Sequence, residues 1–383
     1  MLEKDHVVEV TIASLAHGGG GVGRHEDFVI FVPFTAPGDV IKVRITNSKK
    51  SYAEGEILEL IKAGASRVEP PCPVFGICGG CQWQQVSYDE QLKQKQGIVE
   101  HALARIAKES GAEILPIIPS PQPFNYRNRA QFKTEGPKIG FYKRQSHELV
   151  EFEKCYIVDE KINKELSVIK EELKNAAPHA TSKIEVILTS RGELVRSIDH
   201  TQGGELGFSQ VNTLQNLNLR KYVQKIIGRP SQIAAEDTGS AGQILDLYCG
   251  QGNFSFPLND NGWRVYGIDS NKEAIIAARK RKKDRTFFSA NDCTSEVRKL
   301  SIEGRHFEYI LIDPPRIGAE EELIKLLPSF NATKIVYISC NPATFARDFA
   351  RLKDNSSYKL KSIQPFDMFP QTFHVELVAY FQK

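Results

Sequence analysis

An apolar run that ends on a thiol is the first chemical feature of the chain: Tyr337-Ile338-Ser339-Cys340-Asn341-Pro342. Residues 334–338 read as a buried strand, and the Asn-Pro step stops it ahead of a helical pattern. Cys340 is therefore expected at a strand's carboxyl end, where open α/β sheets place their ligands. A sulfur held there is a candidate nucleophile, reactive near neutral pH and also a tolerable leaving group. The plain alternative is a small buried hydrophobe, the common fate of a free cysteine.

A second group of cysteines has the spacing of a metal site. Cys72-Pro-Val-Phe-Gly-Ile-Cys78-Gly-Gly-Cys81 puts three thiols within ten residues, and Gly79 and Gly80 permit a tight wrap. A fourth ligand is needed, and Cys155 is the natural candidate because Cys249, Cys293 and Cys340 fall in a separate downstream unit. Four thiolates suit zinc or an iron–sulfur cluster. Zinc sites more often show two paired Cys-x2-Cys arms, whereas here five residues, then two, separate the first three cysteines. A radical-SAM loop would space its cysteines by three and two, leaving one iron open.

A third constellation starts at residue 243, where strands and helices begin to alternate. Residues 244–248 form a strand that runs into Cys249-Gly250-Gln251-Gly252-Asn253 and then a helix. Glycines at such a turn let the backbone approach a ligand closely. The next strand, 265–269, ends in Asp269, 19 positions after Gly250, from where a carboxylate can hold ribose hydroxyls. That order points to an adenosine-type ligand. S-adenosylmethionine (SAM) is favoured over NAD because the third glycine of a dinucleotide turn is absent and Asn291-Asp292 ends a third strand, 286–290, where an adenine amine could be recognised. A fourth strand, 307–312, ends in Asp313-Pro314-Pro315-Arg316, and 358–364 with 375–381 supply the last pair, expected to be antiparallel.

These sites need elements to position them. A chain of 383 residues is too long for one compact core. With 25% charged and 41% hydrophobic residues it has ordinary globular composition, and a net charge of +3 neither demands nor excludes a nucleic-acid partner. No apolar run approaches the roughly 20 residues of a membrane span, and Met1-Leu2-Glu3-Lys4-Asp5-His6 lacks signal-peptide regions. A cytoplasmic location is the expectation, where cysteines argue for metal binding or catalysis over disulfides.

Residues 7–60 read as about five short strands, which fits a small OB-like barrel. The run Gly18-Gly19-Gly20-Gly21-Val22-Gly23-Arg24 lacks a Gly-Lys-Ser/Thr ending and a following helix, so it is read as a hairpin with close backbone approach. With Val32-Pro33 and Pro37-Gly38-Asp39, the segment resembles a TRAM domain, an RNA-binding OB module. A mixed α+β region comes next. Within it Phe124-Asn125-Tyr126-Arg127-Asn128-Arg129-Ala130-Gln131-Phe132-Lys133 alternates basic and aromatic side chains, a pattern able to hold phosphates and stack bases and equally that of a half-exposed strand. Gln210 and Asn212 precede a helix running to about residue 227 and read as helix-cap residues.

Over essentially its full length the sequence resembles the RNA uracil-C5 methyltransferase family. The matching motifs are Phe208-Ser209-Gln210-Val211-Asn212, Asp246-Leu247-Tyr248-Cys249-Gly250-Gln251-Gly252-Asn253-Phe254, Asp313-Pro314-Pro315-Arg316, Ser339-Cys340-Asn341-Pro342 and His374-Val375-Glu376. The resemblance implies that Gln210, Tyr248, Asn253, Asp269, Asp292 and Asp313 line a SAM site, that Cys340 is the nucleophile and Glu376 the base, and that Cys72, Cys78, Cys81 and Cys155 hold a [4Fe–4S] cluster. TRAM module and cluster together look like the branch that methylates 23S ribosomal RNA. Two positions depart from the pattern: Tyr248 stands where Phe is common, and Arg129 where Lys is usual.

The expected architecture is therefore α/β: an OB-like TRAM barrel at 1–62, a central α+β iron–sulfur domain at 63–206, and a seven-stranded Rossmann-like SAM methyltransferase domain at 207–383. The expected partner is RNA, with no membrane, and the expected state a monomer. Alternatives are a tRNA uracil-C5 methyltransferase, an RNA cytosine-C5 methyltransferase, and a non-catalytic RNA-binding assembly factor. The cytosine enzymes place a second cysteine after strand four, where this chain has Asp313-Pro314-Pro315 and no thiol. An amino-group methyltransferase would want an aromatic after Asp-Pro-Pro, and Arg316 is not one.

Overall fold

The computed structural model describes residues 2–109, 111–177, 180–199, 210–230, 242–281 and 283–383. Phe208 and Ser209 of the first motif lie outside them. Strands β1 (Val7–Leu15), β2 (Gly21–His25), β3 (Phe28–Val32), β4 (Val40–Ser48) and β5 (Tyr52–Lys62) close a barrel in the order β1-β2-β3-β5-β4. Period-two patterning is the cause: on β4, Ile41, Val43 and Ile45 are fully buried while Lys42 and Arg44 face outward. Gly23 is required for closure, since a Cβ there would come within 2.1 Å of the Val10 side chain. Asp39 is buried and ties the barrel to the segment after β5. Its carboxylate accepts from the Ala36 amide at 2.6 Å, the Gly64 amide at 2.9 Å and Arg67. Those bonds hold its pKa below the usual value despite burial.

Helix α1 (Tyr88–Ala102) and the two-residue β6 (Glu113–Ile114) come next. Strands β7 (Arg129–Glu135), β8 (Lys138–Tyr142), β9 (Leu149–Glu151), β10 (Thr181–Leu188) and β11 (Leu194–Ile198) build a five-stranded sheet in the order β11-β10-β7-β8-β9. Helix α2 (Glu160–Leu173) covers one face, burying Ile162, Leu166 and Ile169 against Ala130, Phe132 and Val186. Helix α3 (Thr213–Ile227) leads into the final region.

That region contains β12 (Gln243–Leu247), α4 (Ser255–Asp260), β13 (Arg264–Asp269), α5 (Lys272–Lys280), β14 (Thr286–Ala290), α6 (Cys293–Ile302), β15 (Tyr309–Ile312), α7 (Glu321–Leu326), β16 (Lys334–Ser339), α8 (Pro342–Asn355), β17 (Lys359–Phe366) and β18 (Glu376–Gln382). Their sheet has the order β14-β13-β12-β15-β16-β18-β17-β6. Neighbours from β14 to β16 are parallel, and β18 pairs antiparallel with both β16 and β17. Eight strands replace the seven read from the sequence. The extra one, β6, comes from upstream and pairs with β17 through Ser362–Glu113 and Ile363–Ile114. It covers an edge that would otherwise expose unpaired backbone groups. Both faces of the sheet are apolar, as parallel strands require: Leu245 and Leu247 point into one core, Ile244 into the other. Val99 and Leu103, on and just after α1, belong to the Leu245 core, so this upstream segment packs on the downstream sheet. Among the described residues no helix is long and apolar enough to cross a membrane.

Candidate active site

The glycine turn after β12 is built from left-handed backbone and short bonds to the next strand. Tyr248, Gly250 and Gly252 have φ of +61°, +53° and +82°. At Gly252 a Cβ would come within 2.6 Å of the Phe256 ring, so only glycine fits, whereas a Cβ at Gly250 would meet open space. Asp269, last residue of β13, accepts the Gly250 amide with one oxygen and the Asn271 amide with the other, each at 2.8 Å. The parallel register sets Asp269 at the end of β13 and Asp313 just past the end of β15, the strands flanking β12, and the Asp313 amide donates to the Leu247 carbonyl at 3.2 Å.

Under this turn Asp246 is fully buried and accepts from the Ser255 hydroxyl. Burial, with Asp313 and Asp269 adding to it, pushes its carboxyl up to about 7. Asp313 is likewise pushed up to about 7, by burial and then by Asp269. Asn253 exchanges two hydrogen bonds with Asn216 on α3, at 3.0 and 3.1 Å. Asp292 spends one oxygen capping α6 through the Ser295 amide at 2.8 Å. Gln210 precedes α3 and its carbonyl accepts from Asn128 at 3.1 Å. Asn212 is the helix cap, accepting from the Gln215 amide at 3.1 Å. Tyr248, Asp269 and Asp313 thus stand at adjacent strand ends. Asn253 is further along the same turn, Asp292 lies one strand further out, and Gln210 arrives from a different segment.

Cys340 and Glu376 meet across the sheet. The β16–β18 register pairs Ser339 with Leu377, and one further step sets Cys340 opposite Glu376. Asn341 then caps α8 through the Ala343 amide at 3.1 Å, with Pro342 in the first turn. Cys340 is half-buried and Glu376 only 2% exposed. Burial pushes the Cys340 thiol up to about 12, Glu376 and Asp313 adding and Arg316 opposing. Burial also pushes the Glu376 carboxyl well above its ordinary range, Asp313 adding and Arg316 again opposing. Nucleophile candidate, base candidate and Asp313 therefore share one electrostatic site.

Sequence alone marks Arg316 as the end of the Asp313-Pro314-Pro315-Arg316 motif and as a residue that is not aromatic, with no role of its own. The structure makes it the cation of the site, its carbonyl held by Asn341 Nδ2 and by the Thr344 hydroxyl at 3.2 Å each. His374 has no role in the sequence reading beyond its motif, yet it belongs to the same site: burial, then Arg316 and His17, bring its pKa down to about 4. His17 comes from the barrel and lies edge-on to Phe373 at 5.2 Å, while Phe373 sits 4.1 Å from the His374 ring. The signal for Arg316 is its place at a strand end one residue after a rigid Pro-Pro step. Nothing local marks His17.

Residues 233–383 match the tRNA (uracil-5-)-methyltransferase family and residues 4–58 the TRAM domain. An uncharacterized RNA methyltransferase of Bdellovibrio bacteriovorus is 37% identical over 97% of this chain and 94% of its own length. Another, from Halalkalibacterium halodurans, is 32% identical over 99% and 97%. Among solved structures, the Pyrococcus abyssi tRNA (uracil-54, C5)-methyltransferase, in complex with S-adenosyl-L-homocysteine, is 26% identical. It covers 98% of this chain and 100% of its own, with a TM-score of 0.72. The chain belongs to the RNA uracil-C5 methyltransferase family.

This methyltransferase carries a second cysteine site away from Cys340. Cys72, Cys78, Cys81 and Cys155 line one cavity of about 220 Å³ together with Arg127 and Arg129. Asn163 pins Cys155, accepting its amide at 2.9 Å and donating to its carbonyl at 3.1 Å. The Gly79 amide donates to the Tyr142 carbonyl at 3.0 Å and fixes the loop bearing Cys78. Burial pushes Cys81 up to about 12, with Cys155, Cys78 and Cys72 adding; it pushes Cys155 up to about 11, Arg127 opposing and Cys78 adding. Among the described residues no three His, Cys, Asp or Glu side chains are grouped closely enough to hold a single metal ion. Arg129 of the basic strand forms a two-pronged pair with Glu185 at 2.6 and 2.9 Å.

Proposed function

We propose that this protein transfers a methyl group from SAM to C5 of a uridine in RNA, with Cys340 as nucleophile and Glu376 as base. The observation that carries the reading is the meeting of Cys340 and Glu376 across β16 and β18, beside the strand ends that bear Asp313 and Asp269. The open backbone cradle at Gly250 and the carboxylate of Asp269 behind it fit an adenosine group. Tyr248, Asn253, Asp292, Asp313 and Gln210 complete the proposed SAM site.

Uracil C5 is too weak a nucleophile to take a methyl group from a sulfonium unaided. Cys340 Sγ gives its proton up to solvent and bonds to C6; the C5=C6 electron pair moves out to give an enolate, and C5 becomes nucleophilic. Arg316 is the charge in the site that favours the thiolate. SAM, when bound, would supply the methyl group to C5, its S–CH3 bond breaking and S-adenosylhomocysteine leaving. The C5 proton then passes to the Glu376 carboxylate, the C5=C6 bond re-forms, and the Cys340–C6 bond breaks. A buried carboxyl with a raised pKa is a competent acceptor at this step. The uridine must leave its stack to reach Cys340.

The four-cysteine cavity fits an iron–sulfur cluster: it offers four thiol ligands, and their mutual repulsion as thiolates calls for a positive core. A cluster spreads its thiolates more widely than one ion does. Cys72, Cys78, Cys81 and Cys155 would hold a [4Fe–4S] group, which when bound would tie the ends of the central region together. On this reading residues 1–62 bind RNA, 63–206 carry the cluster and 207–383 perform the transfer, with 23S ribosomal RNA as substrate. A transfer-RNA substrate is the second reading, favoured by the name of a solved relative that covers 98% of this chain.

Glu376→Gln, incubated with SAM and either a 23S rRNA fragment or tRNA, tests both points on denaturing gels. A persistent protein–RNA adduct with the rRNA fragment is the expected result. An adduct with tRNA alone would reassign the substrate, and none with either RNA would overturn the base.

A further inference from the structure

Residues 367–375 join β17 to β18 and are closed by the Phe366–Glu376 pair. Four consecutive carbonyls in this loop accept from four different parts of the chain. Met368 accepts from Asn212 Nδ2 at 3.2 Å, Phe369 from Lys95 Nζ on α1 at 3.0 Å and Pro370 from the Tyr126 hydroxyl at 3.1 Å. Gln371 accepts from two amides, Gln82 and Trp83, each at 3.1 Å. Those two residues come directly after Cys81.

Gln371 is the centre of the knot. It is 3% exposed and stands at φ +67°, a left-handed conformation that a non-glycine residue keeps only where its surroundings over-determine it. Its amide donates to Gln91 Oε1 and its own Oε1 accepts from Gln91 Nε2, both at 3.0 Å; its Nε2 donates to the Pro123 carbonyl at 3.3 Å. At the start of the loop Lys95 and Asp367, both fully buried, pair at 2.6 Å.

We propose that Gln371 is a positioning residue for Glu376, through which the cysteine-bearing loop and α1 set where the base stands. The proposal rests on the reading of Glu376 as base. Cys340 sits between β16 and the Asn341 cap of α8, and the four carbonyls accept their long-range bonds from neither of those elements. Loosening Gln371 therefore acts on removal of the C5 proton and leaves attack at C6 alone. A purely structural role would slow both steps together.

The test is single-turnover reaction of Gln371→Gly and Gln91→Leu with substrate RNA and SAM, following adduct formation and adduct release on denaturing gels. Glycine tolerates φ +67° and keeps the backbone bonds, so Gln371→Gly decides the matter if Gln91→Leu fails to fold. Adduct release should slow on the order of tenfold while formation stays within about twofold, so that adduct accumulates. Equal slowing of both steps, or no change in either, would overturn the proposal. Glu376→Gln is run alongside: if it releases RNA as fast as the parent, the base reading fails first and Gln371 has nothing to position.

Discussion

Burial raises the thiols of two separate sites in this chain, and the neighbours beyond burial make those sites different. Cys81 and Cys155 are pushed up to about 12 and about 11, and Cys340 up to about 12. In the central cavity thiols oppose one another's ionisation, so one positive group bound among them would favour all the thiolates together. At Cys340 the opposing groups are the carboxyls of Glu376 and Asp313, and Arg316 pulls the other way. That site can change by one proton at a time, which suits a transient bond to carbon. Residue type is alike in the two places; the kind of neighbour, other thiols in one and carboxyls in the other, separates a ligand set from a nucleophile.

The largest effect expected from breaking this contrast is at Cys340. Cys340→Ala should lower methylation by on the order of 10⁴-fold or more, while SAM binding measured by calorimetry stays within about threefold of the parent. Residual turnover close to the parent would remove the nucleophile from the scheme. Cys81→Ser should act on the other region. Iron and sulfide in anaerobically purified protein should fall to background and the unfolding midpoint should drop, with Cys340 still forming its adduct in whatever protein stays folded. Unchanged iron would remove Cys81 from the ligand set. A smaller effect sharpens the comparison through thiol reactivity at about pH 9. Glu376→Gln deletes a charge that raises the Cys340 thiol, so alkylation of Cys340 should speed up by roughly three- to tenfold, and Arg316→Gln should slow it by a similar factor. Neither change should move the alkylation rate of Cys81. Equal shifts at both would mean that the two sites are not electrostatically separate.

The sequence is most legible where a side-chain pattern and a backbone event coincide. The barrel announces itself through alternation such as Ile41, Val43 and Ile45, and the strand ahead of Cys340 through an apolar run cut by Asn341-Pro342. The turn after β12 needs glycines that only a close approach explains, as the Phe256 ring at Gly252 shows. Illegible features are those made from backbone acceptors or distant partners. Strand β6 is two residues long and set just ahead of a proline-rich stretch, with no period to detect. The carbonyls of residues 368–371 give no signal of who will donate to them. Arg316 gains its meaning from Cys340 and Glu376, brought beside it by strand order alone.

The smallest expected effect concerns a carboxyl that neither cysteine site uses directly. Asp246 is buried under the glycine turn; burial first, then Asp313 and Asp269, lift its pKa from 3.8 to about 7, while the Ser255 hydroxyl pulls it down. Because the folded value lies above the unfolded one, the folded chain binds this proton more tightly between those two values. Its contribution is therefore most favourable at low pH and is lost as pH rises toward about 7. Asp246→Asn keeps the volume and an acceptor for Ser255 but cannot ionise. The variant should lose less stability than the parent between about pH 4 and pH 7 in urea unfolding, with methylation at pH 8 changed by less than about threefold. A pH dependence identical to the parent's would show that the charge at Asp246 is fully compensated by Ser255, and that Asp313 alone carries the carboxyl titration of this pocket.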